Sequence, residues 1–137
     1  MAADKIFVLD TSALLSLREN ESGSDEIAAR ISEAQKKKCQ ILVSFMTRME
    51  LLYLIRREEG EEAAREALRL IDSFPIEWVS CDSDILEKAS LVKSEGGLSV
   101  ADSWIAATAI VYQATLLHKD PEFIRLQNLQ QKFLGRP

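Results

Sequence analysis

Four carboxylates stand in stretches that are otherwise apolar. Asp10 ends the run Ile6, Phe7, Val8, Leu9; Glu50 lies within FMTRMELLYLI; Asp102 is the only charge between Ser99 and Tyr112; Asp120 follows Leu116, Leu117, His118 and Lys119. A carboxylate taken out of water is costly unless it is paired or bound to metal. Three of the four have a local alternative. Asp10 could cap a short helix beginning near Ser12. Ser99 and Asp102 have the spacing of a capping box. Asp120 before Pro121 has the form of a helix N-cap followed by Pro at the first position. Glu50 has no such alternative, because no Lys or Arg lies three or four residues away on its helix to form an ion pair. Four carboxylates gathered in one pocket repel one another and raise one another's pKa. A hard divalent cation relieves that repulsion, and an all-oxygen ligand set suits Mg²⁺ or Mn²⁺. Such a site activates water and neutralises charge on a phosphate during in-line attack. The sequence leaves open whether one ion or two would bind.

The elements that must position these acids follow from periodicity. Apolar runs at 6–9, 41–43, 76–79 and 115–118 read as strands, the first as a fully buried one. Between them lie helical patterns: one opened by Ser24 with Ile27, Ile31 and Ala34 inward, and others at 45–59, 61–73, 83–95 and 100–112. Gly60 separates the second and third, and Gly96-Gly97 ends the fourth. Residues 119–121 read as a turn, with a short helix near Phe123 and an edge strand at 131–134. Alternating strands and helices predict an α/β fold: a three-layer α/β/α sandwich around a central, mostly parallel sheet of four to five strands. In such sheets ligands bind beyond the carboxyl ends of the strands. Asp10 and Asp120 lie at two such ends, and Glu50 and Asp102 lie early in helices, so all four are expected at one end of the sheet.

The 137 residues suit a single domain spanning 1–137. With 22 Asp+Glu against 17 Lys+Arg, the net charge of -5 argues against a general polyanion binder, but not against contact with a few phosphates through a cation. Cys39 and Cys81 offer neither a disulfide framework nor a zinc site. Without a signal-like N-terminus or a long apolar stretch, a cytoplasmic protein with no membrane contact is expected.

The segments VLDTSALL, TRMELLYL, LSVADSWIAATA and LLHKDPEF resemble the successive acidic motifs of PIN-domain nucleases, in order and over nearly the whole chain. The third is most similar to the VapC-type toxin branch of toxin–antitoxin systems. The resemblance implies a metal-dependent endoribonuclease, with Asp10, Glu50, Asp102 and Asp120 as catalytic metal ligands for Mg²⁺ or Mn²⁺. It implies Thr11 or Ser12 as the water-orienting hydroxyl group beside the first acid. It also implies products with 5′-phosphate and 3′-hydroxyl ends, an RNA substrate, a homodimer and a cognate antitoxin. The family often has Thr or Ser two positions before the fourth acid, where this chain has His118, and Glu122 lies close enough to take over from Asp120.

Arg48 and His118 are the candidate substrate contacts, each with an ordinary structural alternative. Residues 36–38 are three lysines that suit a solvated helix end, Arg56 to Glu59 read as an exposed face, and Trp78 and Trp104 as core or interface groups. Helices 45–55 and 68–71 carry more apolar residues than one inner face needs, leaving a surplus for a second copy or an antitoxin. An RNA-processing PIN nuclease outside toxin–antitoxin systems is the alternative. A phospho-accepting signalling module fits poorly, since Asp10 stands alone, and an Asp-nucleophile hydrolase fails because residue 12 is Ser.

Overall fold

A computed structural model describes residues 5–135. Five strands, β1 (Lys5–Leu9), β2 (Cys39–Ser44), β3 (Ile76–Val79), β4 (Thr115–His118) and β5 (Gln131–Phe133), form one sheet in the order β3-β2-β1-β4-β5. Every pairing is parallel, including that of the edge strand β5 with β4. The sheet expected as mostly parallel is therefore wholly so. Six helices connect it: α1 (Thr11–Arg18), α2 (Ser24–Gln35), α3 (Phe45–Glu59), α4 (Glu61–Asp72), α5 (Ser83–Ser94) and α6 (Val100–Val111).

Side chains alternate across the central strands, as the two-residue period of a strand requires. Phe7, Leu9, Ile41, Val43 and Leu117 pack with Leu14 of α1, Ile27 and Ile31 of α2, Leu51 of α3 and Ile71 of α4. Val8, Leu42 and Leu116 face the opposite layer, where α5 and α6 contribute Ile85, Val92, Ile105, Ala106 and Ala109. Both faces of the sheet are thus covered, and strands buried on both sides read as unbroken apolar runs. Helix α6 is apolar nearly all round because it lies between the sheet and α5; Ala106, Ala107 and Ala109 are fully buried. Gly60 adopts φ +99° between α3 and α4, a conformation that glycine reaches without strain. Among the described residues no helix is long and apolar enough to cross a membrane. Both cysteines are free, Cys39 buried and Cys81 exposed.

Helix α1 was expected only as an alternative role for Asp10. It is a full element of eight residues. The order β3-β2-β1-β4-β5 reverses direction at β1, so the topological switch point lies between β1 and β4.

Candidate active site

Asp10 leaves β1 at this switch point and is only 3% exposed. One carboxylate oxygen accepts from the backbone N–H of Ala13 at 2.8 Å, capping α1. The Ser12 hydroxyl lies 2.7 and 2.8 Å from the two Asp10 oxygens and accepts from the backbone N–H of Lys119 at 2.9 Å. Ser12 therefore ties the tip of β1 to the tip of β4. The capping role and a place in the acidic cluster coexist, since the cap occupies a single lone pair.

The adjacent hydroxyl turns the other way. Thr11 donates to Glu50 at 2.6 Å, and the buried Thr47 hydroxyl lies 3.4 Å from that of Thr11. Thr47 and Glu50 are three residues apart on α3 and share one face. Ser44 caps α3 by accepting from Met46 N–H, which starts that helix directly at the end of β2. Sequence reasoning overlooked Thr47; the signal was its spacing of three from an unpaired acid.

Asp102 is placed by Ser99, whose side chain accepts from the Asp102 backbone N–H at 3.0 Å. Replacing Ser99 with Ala is expected to cost about 1 kcal/mol of stability in urea denaturation, because one N–H at the start of α6 loses its acceptor. Asp120 accepts from Glu122 N–H at 2.9 Å and caps the 3-10 turn Pro121–Phe123. Glu122 is exposed.

Asp10 and Asp102 are both displaced from the ordinary carboxylate range. Burial pushes the Asp10 carboxyl up to about 7, against the bonds from Ser12 and Ala13, and the charges of Asp102 and Asp120 push it the same way. Asp102 is also pushed up to about 7, first by burial, then by the charges of Asp120 and Glu50 and a hydrogen bond with Asp120. Among the described residues no Lys or Arg forms a salt bridge with any of the four. Lys119, next to Asp120, instead reaches Glu21 at 3.5 Å.

The two candidate substrate contacts have structural partners. Arg48 was a candidate for substrate contact. Its guanidinium stacks over Trp78, 5.0 Å from the ring centroid, and lies 3.6 Å from Asp72, on the β3 edge of the sheet and two strands away from Asp10. His118 was the other candidate, yet it is fully buried and both ring nitrogens are engaged, Nδ1 by Asp120 N–H at 3.2 Å and Nε2 by Gln131 at 2.8 Å. Burial holds its pKa below the usual histidine value. Both ring nitrogens therefore have partners within the protein. Trp104 is half-buried against Phe45 in an edge-to-face pair with centroids 5.3 Å apart, in keeping with a packing role.

A PIN-domain family model matches residues 7–129, a span that contains all four acids. The chain belongs to the PIN-domain family. Among curated proteins no sequence matches it. Solved structures with the same fold include a chain of VapBC2 from Rickettsia felis, bound to a DNA fragment from its promoter. That chain is 21% identical, with a TM-score of 0.77, and the match covers 93% of this chain and 98% of the other. A chain of DNA-bound VapBC from Salmonella typhimurium is 18% identical with a TM-score of 0.78, covering 96% and 99%. VapC20 from Mycobacterium tuberculosis, a sarcin-ricin loop cleaving toxin, is 21% identical with a TM-score of 0.67, covering 90% and 95%. At these identities the likeness is one of fold.

The donors of this PIN domain fit a hard cation. The available donors are carboxylate and hydroxyl oxygens, with Ser12 on Asp10 and Thr11 on Glu50, and burial followed by neighbouring acids pushes Asp10 and Asp102 up to about 7. Among the described residues no three acidic, cysteine or histidine side chains are already drawn together at coordinating distance.

Proposed function

We propose that this PIN domain is a Mg²⁺- or Mn²⁺-dependent endoribonuclease, acting as the toxin of a toxin–antitoxin pair, in which Asp10, Glu50, Asp102 and Asp120 hold the cation. What supports this reading is electrostatic: Asp10, at the switch point of the sheet, is raised by burial and by the charges of Asp102 and Asp120, Asp102 is raised in turn by Asp120 and Glu50, and among the described residues no basic side chain forms a salt bridge with any of the four. When bound, the cation lowers the pKa of a water and neutralises charge on the scissile phosphate. The chain's own contribution is orientation. Thr11 presents Glu50, Ser12 aims Asp10 while anchoring the β4 tip, and Ser99 sets the first turn that carries Asp102. A cation held by these carboxylates would offset both the burial and the mutual repulsion that raise Asp10 and Asp102.

The toxin role draws on the VapBC complexes among the structural relatives and on exposed apolar side chains. Met49 and Tyr53 on α3 and Leu70 on α4 are 51%, 42% and 48% exposed, which supports the expected surplus on those helices and the partners that would cover it, a second copy and an antitoxin. An RNA substrate places the work in the cytoplasm.

The test is incubation of structured RNA with purified protein and Mg²⁺ or Mn²⁺, beside Asp10→Asn. Cleavage by the wild type alone, with 5′-phosphate and 3′-hydroxyl ends and none in chelator, is the expected result. Equal cleavage by both proteins would remove the assigned site. Growth arrest on expression, relieved by a neighbouring antitoxin gene, separates the toxin from an RNA-processing nuclease.

A further inference from the structure

His118 is the largest polar side chain in the core that the chemistry above does not use, and its surroundings fix its polarity. Its Nδ1 faces a backbone N–H, that of Asp120, which can only donate. The proton of a neutral ring therefore belongs on Nε2, which meets the Gln131 side-chain oxygen at 2.8 Å. Gln131 is oriented in turn because its amide nitrogen donates to the carbonyls of Phe123 at 2.8 Å and Leu126 at 3.2 Å, which can only accept. The ring is held from two sides, edge-to-face with Phe123 at 4.9 Å and tilted on Phe133 at 5.8 Å. The backbone carbonyl of His118 is tied as well, since Leu134 N–H donates to it at 2.7 Å.

We propose that His118 is a positioning residue that fixes the Asp120 peptide through Nδ1, while Gln131 on β5 holds the ring in the one tautomer that can do so. This rests on the cation-binding reading above. A chain of part-buried hydrogen bonds thus runs from the loop at 123–126 through Gln131 and His118 to the backbone of Asp120. The edge strand and the 3-10 turn thereby set where the fourth carboxylate meets the cleft opposite Asp102. Such outer partners orient a ligand and typically change metal affinity when removed.

Two measurements test it. In the metal-free wild type, imidazole ¹⁵N NMR is expected to show the proton on Nε2; a proton on Nδ1 overturns the proposal without any variant. Mn²⁺ titration followed by electron paramagnetic resonance then compares His118→Asn, whose oxygen stands near the Nδ1 position, with His118→Gln, whose polar end stands near Nε2. His118→Gln is expected to weaken Mn²⁺ binding by about tenfold or more, and His118→Asn by no more than about threefold. Both lose ring packing, so their melting temperatures fall together, and only the positioning role separates their affinities. Equal affinities in the two variants overturn the proposal. A wild type that binds no Mn²⁺ overturns the cation reading itself, and this inference with it.

Discussion

Replacing Asp102 with Asn is expected to lower Mn²⁺-supported RNA cleavage by on the order of a hundredfold or more, with the fold intact. After burial, the charges of Asp120 and Glu50 both act on Asp102. The amide keeps the volume and removes the charge that a cation would meet. Helix α6 should survive, because its cap is made by the Asp102 backbone N–H to Ser99, which the substitution leaves in place. The check is an initial-rate comparison beside circular dichroism of both proteins. Undiminished cleavage by Asp102→Asn would mean that the acid does not serve the reaction, and a nuclease mechanism through this cleft would fail with it.

The metal-free protein is expected to lose stability as pH rises from about 4 to 7, the reverse of the common behaviour of paired carboxylates. Asp10 is pushed from 3.8 up to about 7 by burial. Below pH 4 both the folded and unfolded chains hold its proton, so its contribution to pH dependence is absent. Between the two values the unfolded chain has released the proton while the folded chain retains it, and each step up in pH favours unfolding. Above about 7 the folded chain must carry a buried anion, and the loss is complete. A shift of this size corresponds to about 4 kcal/mol at most for this nearly inaccessible group. Asp102 adds to the same slope, reduced by its partial exposure to water. Urea denaturation in chelator at pH 5 and pH 8 measures the difference, and Asp10→Asn should flatten it. Added Mn²⁺ at about a hundred times its dissociation constant should restore about 2.7 kcal/mol at the higher pH. A protein equally stable at both pH values in chelator would show that Asp10 does not hold its proton.

The two effects share a cause. Burial first, and neighbouring acids second, raise Asp10 and Asp102, and a bound cation would offset both. Sites commonly hold strain or poorly satisfied charge in this way, and the surrounding core sustains it. Here the surrounding core is built from strands covered on both faces and from the tightly buried α6.

Much of this was legible in the sequence. The alternation of strands and helices, the break at Gly60, the Ser99 cap and the four out-of-place acids are all one-dimensional signals. They arise from side-chain period, local backbone preference and the cost of lone charges, none of which needs a distant partner to be read. Tertiary structure alone decided the rest. Whether Thr11 or Ser12 serves Asp10 depended on which strand tip and which helix lie beside β1: Ser12 joins Asp10 to Lys119, and Thr11 joins Glu50. Arg48 was drawn to Asp72 and Trp78 because β3 lies outside β2, away from the cleft. His118 became an internal strut because β5 brought Gln131 and Phe133 against it. The physical reason is common to all three: hydrogen-bond partners and burial are set by neighbours far away in the chain, whereas periodicity and capping are set by neighbours a few residues off.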